Sequence, residues 1–170
     1  MTIKRILAKA ISYGGTRRLS DIFYIVIHYT SNKGDTAENN GLYFKNVNKV
    51  KAGAHFFIDQ KGNVVQSINL NRIVWAVGGS RYDDWKKTGG GNFYGLCTNR
   101  NSVSIELCDN ATKDPSTEQI EATKETIAYI QSKCKNAKLI IRHFDVTGKK
   151  CPARMTNINV WNRFKKRVKP

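Results

Sequence analysis

The order of apolar patterns along the chain predicts an α/β domain with one mixed sheet flanked by helices. Short β-branched runs, Phe23-Tyr24-Ile25-Val26-Ile27, Val103-Ser104-Ile105-Glu106-Leu107 and Leu139-Ile140-Ile141, alternate with longer stretches of helical period. Such alternation puts helices on the faces of a sheet. The 170 residues suffice for one well-buried core and are few for two, so residues 1–170 read as a single domain. No repeat or linker interrupts them.

Each element has its own local reason. Ile3, Ile6, Leu7, Ala10 and Ile11 stand at helical spacing with Lys4, Arg5 and Lys9 between them, predicting a short amphipathic helix in an N-terminal extension over residues 1–20. Residues 23–28 read as a buried strand, because the run is short, aromatic and β-branched, and His28 closes it. Asp35 with Glu38 forms a capping box for a helix over residues 36–49, weakened by Gly41 and four asparagines. Residues 54–59 and 63–67 flank Gly62 as a hairpin that carries His55 and Phe57 to one face.

Residues 69–101 hold Trp75, Tyr82 and Trp85 among Gly78-Gly79 and Gly89-Gly90-Gly91, the composition of a binding loop. In the strand that follows, alternation separates Val103, Ile105 and Leu107 from Ser104 and Glu106, which isolates one carboxylate. Ser116 and Gln119 cap a helix with the stripe Ile120, Thr123, Ile127, Ile130 and Cys134. Residues 139–143 read as a strand. Residues 159–168 read as a last helix with Trp161, Phe164 and Val168 inward and Arg163, Lys165, Lys166 and Arg167 outward.

Charge narrows the partners. Twenty-nine Lys and Arg against 13 Asp and Glu leave +16, which argues for an anionic partner: nucleic acid, an acidic membrane or an anionic cell-wall polymer. A nucleic-acid or polymerase-binding role rests only on this charge and on Lys165-Lys166-Arg167. No recognised motif accompanies them, so no specific nucleic acid is expected. No apolar run approaches the roughly 18 residues that span a bilayer, so a soluble protein without membrane insertion is expected, and a monomer is expected besides. The first residues interrupt their apolar positions with bases instead of forming a signal-peptide core, which predicts synthesis in the cytoplasm. Cys97, Cys108, Cys134 and Cys151 include no Cys-x-x-Cys pair and read as free thiols.

The chemistry concentrates in residues 142–152. His143, Lys149 and Cys151 follow an apolar run within ten residues, so a strand running into a loop would bring them to a sheet end, where ligands are commonly held. With His28, two imidazoles and a thiol suit zinc with one position left open. Zinc-finger spacing is absent, which argues against a structural zinc that nucleates folding. Zinc in such a site lowers the pKa of its water toward about 7.

Five motifs occur in order: His28-Tyr29-Thr30; Ala54-His55-Phe56-Phe57-Ile58-Asp59 with Gly62; Asn101-Ser102-Val103-Ser104-Ile105-Glu106-Leu107; Arg142-His143 with Asp145-Val146; and Lys149 with Cys151-Pro152. Over residues 23–161 this set resembles the type 2 N-acetylmuramoyl-L-alanine amidases, which include phage amidase lysozymes and animal peptidoglycan recognition proteins. The resemblance implies a mixed sheet flanked by helices with a zinc site at the floor of a surface groove. It implies His28, His143 and Cys151 as zinc ligands, Lys149 facing the reacting carbonyl, and cleavage of the bond between N-acetylmuramic acid and L-alanine in bacterial peptidoglycan. A phage or prophage endolysin that acts on the wall after release fits this reading.

The sequence departs from part of that family at Ala54, where many relatives carry a tyrosine that orients the attacking water. In another branch a glutamate at the strand position of Glu106 serves as general base, and Ser104-Ile105-Glu106-Leu107 matches that branch. His55 is expected to pack rather than to ligate. Trp75, Tyr82, Trp85 and Tyr94 offer faces for sugar rings or peptide methylenes, with Arg81, Lys86, Lys87 and Arg100 for peptide carboxylates. The competing function is a binding-only module; Cys151 argues against it, since non-catalytic relatives typically have lost that ligand. No separate wall-binding domain is visible, so either the basic surface supplies attachment to anionic polymers or the chain is the catalytic part of something longer.

Overall fold

The computed structural model describes residues 2–170. Eight strands occur in the order β1 (Ile3–Arg5), β2 (Tyr13–Thr16), β3 (Tyr24–Tyr29), β4 (Phe56–Ile58), β5 (Val64–Gln66), β6 (Arg72–Val74), β7 (Ser102–Leu107) and β8 (Leu139–Arg142). The helices are α1 (Ala37–Asn46), α2 (Trp85–Thr88), α3 (Thr117–Lys133), α4 (His143–Thr147) and α5 (Ile158–Val168). Six strands form one sheet in the order β1-β5-β4-β7-β3-β8, and β2 pairs with β6 apart from it. Within the large sheet only β4 and β5 run antiparallel.

Strands β3 and β7 are adjacent interior strands and are covered on both faces. Ile25, Val26 and Ile27 are all fully buried, which is why their run shows no polar alternation. On one face Ile25, Ile27, Ile105 and Phe56 pack with Ile127 and Ile130 of α3 and Trp161 and Phe164 of α5. Each such side chain contributes about 1.5–3 kcal/mol by leaving water. The other face carries Phe57 and Val65 beneath Ala37 of α1, and Val26 beside Ile141 and Val146. Helix α3 starts where Ser116 Oγ accepts from Gln119 N, and Gln119 Nε2 donates to the carbonyls of Ile58 and Cys108, tying the helix to two strands. Among the described residues no helix is long and apolar enough to cross a membrane.

Three expectations need correction. Residues 3–9 are not helical, and only a short 3-10 turn follows over Ala10–Ser12: β1 pairs in parallel with β5, and Ile6 N and Ala8 N continue the ladder to Gln66 O and Ser67 O. Ile6 and Ala8 are buried while Leu7 is exposed, a period of two set by the open edge of β5, whose backbone groups need partners. Helix α1 ends at Asn46 and is capped by Thr36, whose Oγ1 accepts from Asn39 N; Asp35 is occupied instead by Asp109 N and Asn40. His143 begins α4 and does not close β8.

Candidate metal centre and its groove

Parallel pairing brings the carboxyl ends of three strands level. His28 is the register partner of Glu106 on β7, and Ile27 that of Arg142 on β8. His143, the next residue, therefore arrives beside His28, with ring centroids 4.8 Å apart. Helix α4 stops at Gly148, whose φ of 85° lets the chain turn back, and Phe144 N donates to Cys151 O at 2.8 Å. Cys151 Sγ then lies 3.8 Å from His28 Nδ1, although the residues are 123 apart in sequence. His28, His143 and Cys151 are buried, and one potential ligand atom from each lies within 4.8 Å of the others.

A buried ion pair between two residues of one motif, Arg142 and Asp145, braces this corner. The Arg142 guanidinium meets both carboxylate oxygens of Asp145, and Asp145 Oδ2 also accepts from Arg142 N at 2.7 Å. Arg142 Nη1 reaches on to Met155 O at 2.6 Å, just past Cys151, and the guanidinium lies over the Phe144 and Trp161 rings. One side chain thus fixes the segments that carry His143 and Cys151.

The electrostatics suit a cation. Burial, then His143 and Lys149, hold the His28 imidazole well below its ordinary 6.5. Burial and Lys149 bring His143 down to about 4. Both rings are therefore neutral at pH 7, with lone pairs free for a metal. Burial and the nearby Glu106 push the Cys151 thiol up to about 12, so the thiolate needs a cation beside it. Burial pushes Glu106 up to about 8 against the opposing pull of Lys149. His28 Nε2, His143 Nε2 and Glu106 Oε2 are buried without a hydrogen-bond partner among the described residues. Such groups are costly alone and common at functional sites. Two imidazoles and a thiol fit zinc, leaving a fourth position open.

Lys149 is exposed and lines four adjoining cavities. One of about 760 Å³ runs past Tyr29, Asn39, Tyr43, Glu106 and Cys151. A second, of about 410 Å³, lies beside Lys51, Trp75, Asn99 and His143. Two more, of about 520 and 710 Å³, share Tyr82. A separate hollow of about 700 Å³ by Asp35 and Asp59 contains none of the metal-site groups, and the Asp59 carboxylate is spent on Ala37, Lys61 and Asn63.

The aromatic loop reaches the groove because it is stitched to α4. Tyr82 N, Gly91 N and Phe93 N donate to Thr147 O, Phe144 O and Asp145 O at 2.8–2.9 Å. A Cβ on Gly90 would stand 2.8 Å from the Phe144 ring and 2.9 Å from Gly148 Cα, so the glycine run permits this close approach. Trp75 and Tyr82 line the cavities around Lys149. Trp85 lines none of these four; the Arg81 guanidinium covers its ring at 3.4 Å. Arg100 precedes β7, at the end of the strand away from Glu106, where its charge acts on Asp21.

His55 packs, as its hairpin position predicts. It is fully buried, its Nδ1 accepts from Ser104 N, and its Nε2 lies 2.8 Å from Arg17 Nη2. Arg17, unremarkable in sequence, is buried and donates to the carbonyls of Leu70, Asn99, Arg100 and Ser102. Burial brings it down to about 10.

Fold and site together define an α/β domain with a His28, His143 and Cys151 cluster that could hold a metal ion at the carboxyl ends of parallel strands. The chain belongs to the N-acetylmuramoyl-L-alanine amidase family, whose sequence profile matches residues 18–154. The N-acetylmuramoyl-L-alanine amidase BlyA of Bacillus subtilis (strain 168) is 31% identical over 161 residues, which make up 89% of this chain and 42% of BlyA. The chain thus spans less than half of that relative. The structure of PlyL superposes with a TM-score of 0.75 at 24% identity, covering 100% of this chain and 98% of PlyL. The catalytic domain of XlyA does so with a TM-score of 0.73 at 23% identity, covering 99% of each. These two likenesses are likenesses of fold.

Proposed function

We propose that this domain is a zinc-dependent amidase that hydrolyses the bond between N-acetylmuramic acid and L-alanine in peptidoglycan, as a phage or prophage endolysin would. The observation that carries the reading is the buried His28, His143 and Cys151 cluster with Glu106 in register beside His28, in a chain of this family. Zinc in that cluster supplies Lewis acidity toward water and the amide carbonyl. Glu106, as the carboxylate in register beside His28, takes the proton of the attacking water and passes it to the departing amine. Lys149, at the junction of the cavities, donates to the oxyanion that develops on the carbonyl. Trp75 and Tyr82 offer apolar faces to the substrate, and the net charge of +16 favours adhesion to anionic wall polymers.

Metal analysis combined with mass spectrometry of digested peptidoglycan tests this directly. The expected products are stem peptides with a free L-alanine N-terminus and glycan bearing intact lactyl groups, from protein holding one zinc per chain. New reducing sugar ends, or binding without release, would overturn it. The second outcome would make the chain a binding module, a reading that Cys151 disfavours because its burial beside two imidazoles has no use in a metal-free groove.

A further inference from the structure

The cavity beside His143 has a composition unlike the rest of the groove. Lys51 and Lys149 both line it, Trp75 forms a wall, and no carboxylate faces it. Neither ammonium is ion-paired among the described residues, and no acidic residue occurs between Asn39 and Ile58. Asn99 adds a third donor. Its Oδ1 accepts from Ala76 N and Val77 N at 3.0 and 2.8 Å, which fixes the amide so that Nδ2 is left over. That nitrogen would lie 4.0 Å from a Cβ on Gly78, another lining residue of the cavity. Two ammoniums, a fixed amide N–H and an indole wall, with no competing acid, suit a carboxylate attached to an apolar stem.

We infer that this cavity receives a carboxylate of the substrate's stem peptide, and that Lys51 is the residue that recognises it. The inference rests on the amidase reading for the identity of the substrate. In that substrate the sugar side brings no free carboxylate, because the lactyl carboxyl is itself the acyl half of the scissile amide. The nearest carboxylate belongs to the peptide's second residue, a glutamate linked through its side chain, whose α-carboxyl stays free. It lies within about 7 Å of the scissile nitrogen, the reach of two residues. Placing it between Lys51 and Lys149 sends the peptide past His143 and Trp75, and leaves the larger arm by Tyr29, Asn39 and Tyr43 for the glycan. Lys51 would make the enzyme sensitive to amidation of this α-carboxyl.

The test uses two synthetic muramoyl peptides, identical except that the glutamate α-carboxyl is free in one and amidated in the other. The zinc-loaded protein should cleave the free acid with a kcat/KM about tenfold higher, through KM, and salt should shrink the difference. Lys51→Met should lower the value for the acid far more than that for the amide, so that the two converge, while Lys51→Arg keeps most of the preference. Equal cleavage of both peptides by the unaltered protein, or an equal loss on both in Lys51→Met, overturns the assignment. Calorimetric binding of the two free stem peptides separates this inference from the amidase reading. Absent cleavage with tighter binding of the acid by Lys51 would sink the amidase reading and keep the cavity's role; equal binding would sink the cavity's role.

Discussion

Glu106 stands directly beside His28, the two being register partners on the parallel strands β7 and β3. Their side chains therefore leave the sheet on the same face, and the alternation that isolates Glu106 from Val103, Ile105 and Leu107 also aims it at the metal-ligand cluster. Phe57 flanks it from β4, which keeps water from one side of the carboxyl.

Glu106→Gln preserves shape and removes the proton acceptor. Zinc content should stay at that of the unaltered protein while kcat falls by about 100-fold or more, the scale of general-base catalysis. Steady-state kinetics with metal analysis on the same samples checks this. Turnover within a few-fold of the original would assign the proton to another group.

Cys151→Ser replaces a soft ligand by a weak one. Zinc stoichiometry after dialysis should drop and amide cleavage should be lost, with far-UV circular dichroism unchanged because the backbone bond from Phe144 N to Cys151 O remains. Full zinc content in this variant would remove Cys151 from the ligand set.

Asp145→Asn leaves the Arg142 guanidinium buried without its counter-charge. The expected cost is about 3–5 kcal/mol in urea unfolding, as for other buried pairs broken on one side. Removing both partners, Arg142→Met with Asp145→Leu, should cost less than the sum of the single changes. Strict additivity would mean that the pair does not act as a clamp.

His55 should give the metal-free protein a measurable acid sensitivity. Burial and the Arg17 charge hold its folded-state value well below the ordinary 6.5, so below that pH the unfolded chain takes up a proton that the folded one refuses. Stability is then complete above the unfolded value and falls with pH beneath it, by about 1.4 kcal/mol per pH unit for one such histidine. Urea unfolding at several pH values should show a shallower slope for His55→Gln by that amount. Superimposable slopes would mean that His55 is already protonated in the folded protein.

Much of the fold is legible where local pattern and tertiary need coincide. The stripe Ile120, Ile127 and Ile130 and the trio Trp161, Phe164 and Val168 mark the buried faces of α3 and α5, and Ser116 marks where α3 begins. The N-terminal strand is not legible, because Ile3, Ile6, Leu7 and Ala10 satisfy a helical period and only the edge of β5 decides otherwise. Spacing places His143 near Cys151, but the approach of His28 depends on β3 pairing with β8, which no local run encodes. That part of the site is readable only through the ordered motifs of a family. Trp85 and Arg100 look suitable by residue type; one is covered by Arg81 and the other lies at the wrong end of its strand. Arg17 carries no sequence signal, and Arg142 stands in a motif that does not tell that it is buried, since a buried arginine is distinguished only by the carbonyls and carboxylate that close around it.

The parallel pairing of Ile3–Arg5 with Val64–Gln66 bears on how this protein can be handled at the bench. Trimming the first few residues as if they were a dispensable tail would strip a border strand and bare the backbone of β5. An uncovered border of that kind recruits other chains, so shortened versions should clump before they lose any part of the reaction centre.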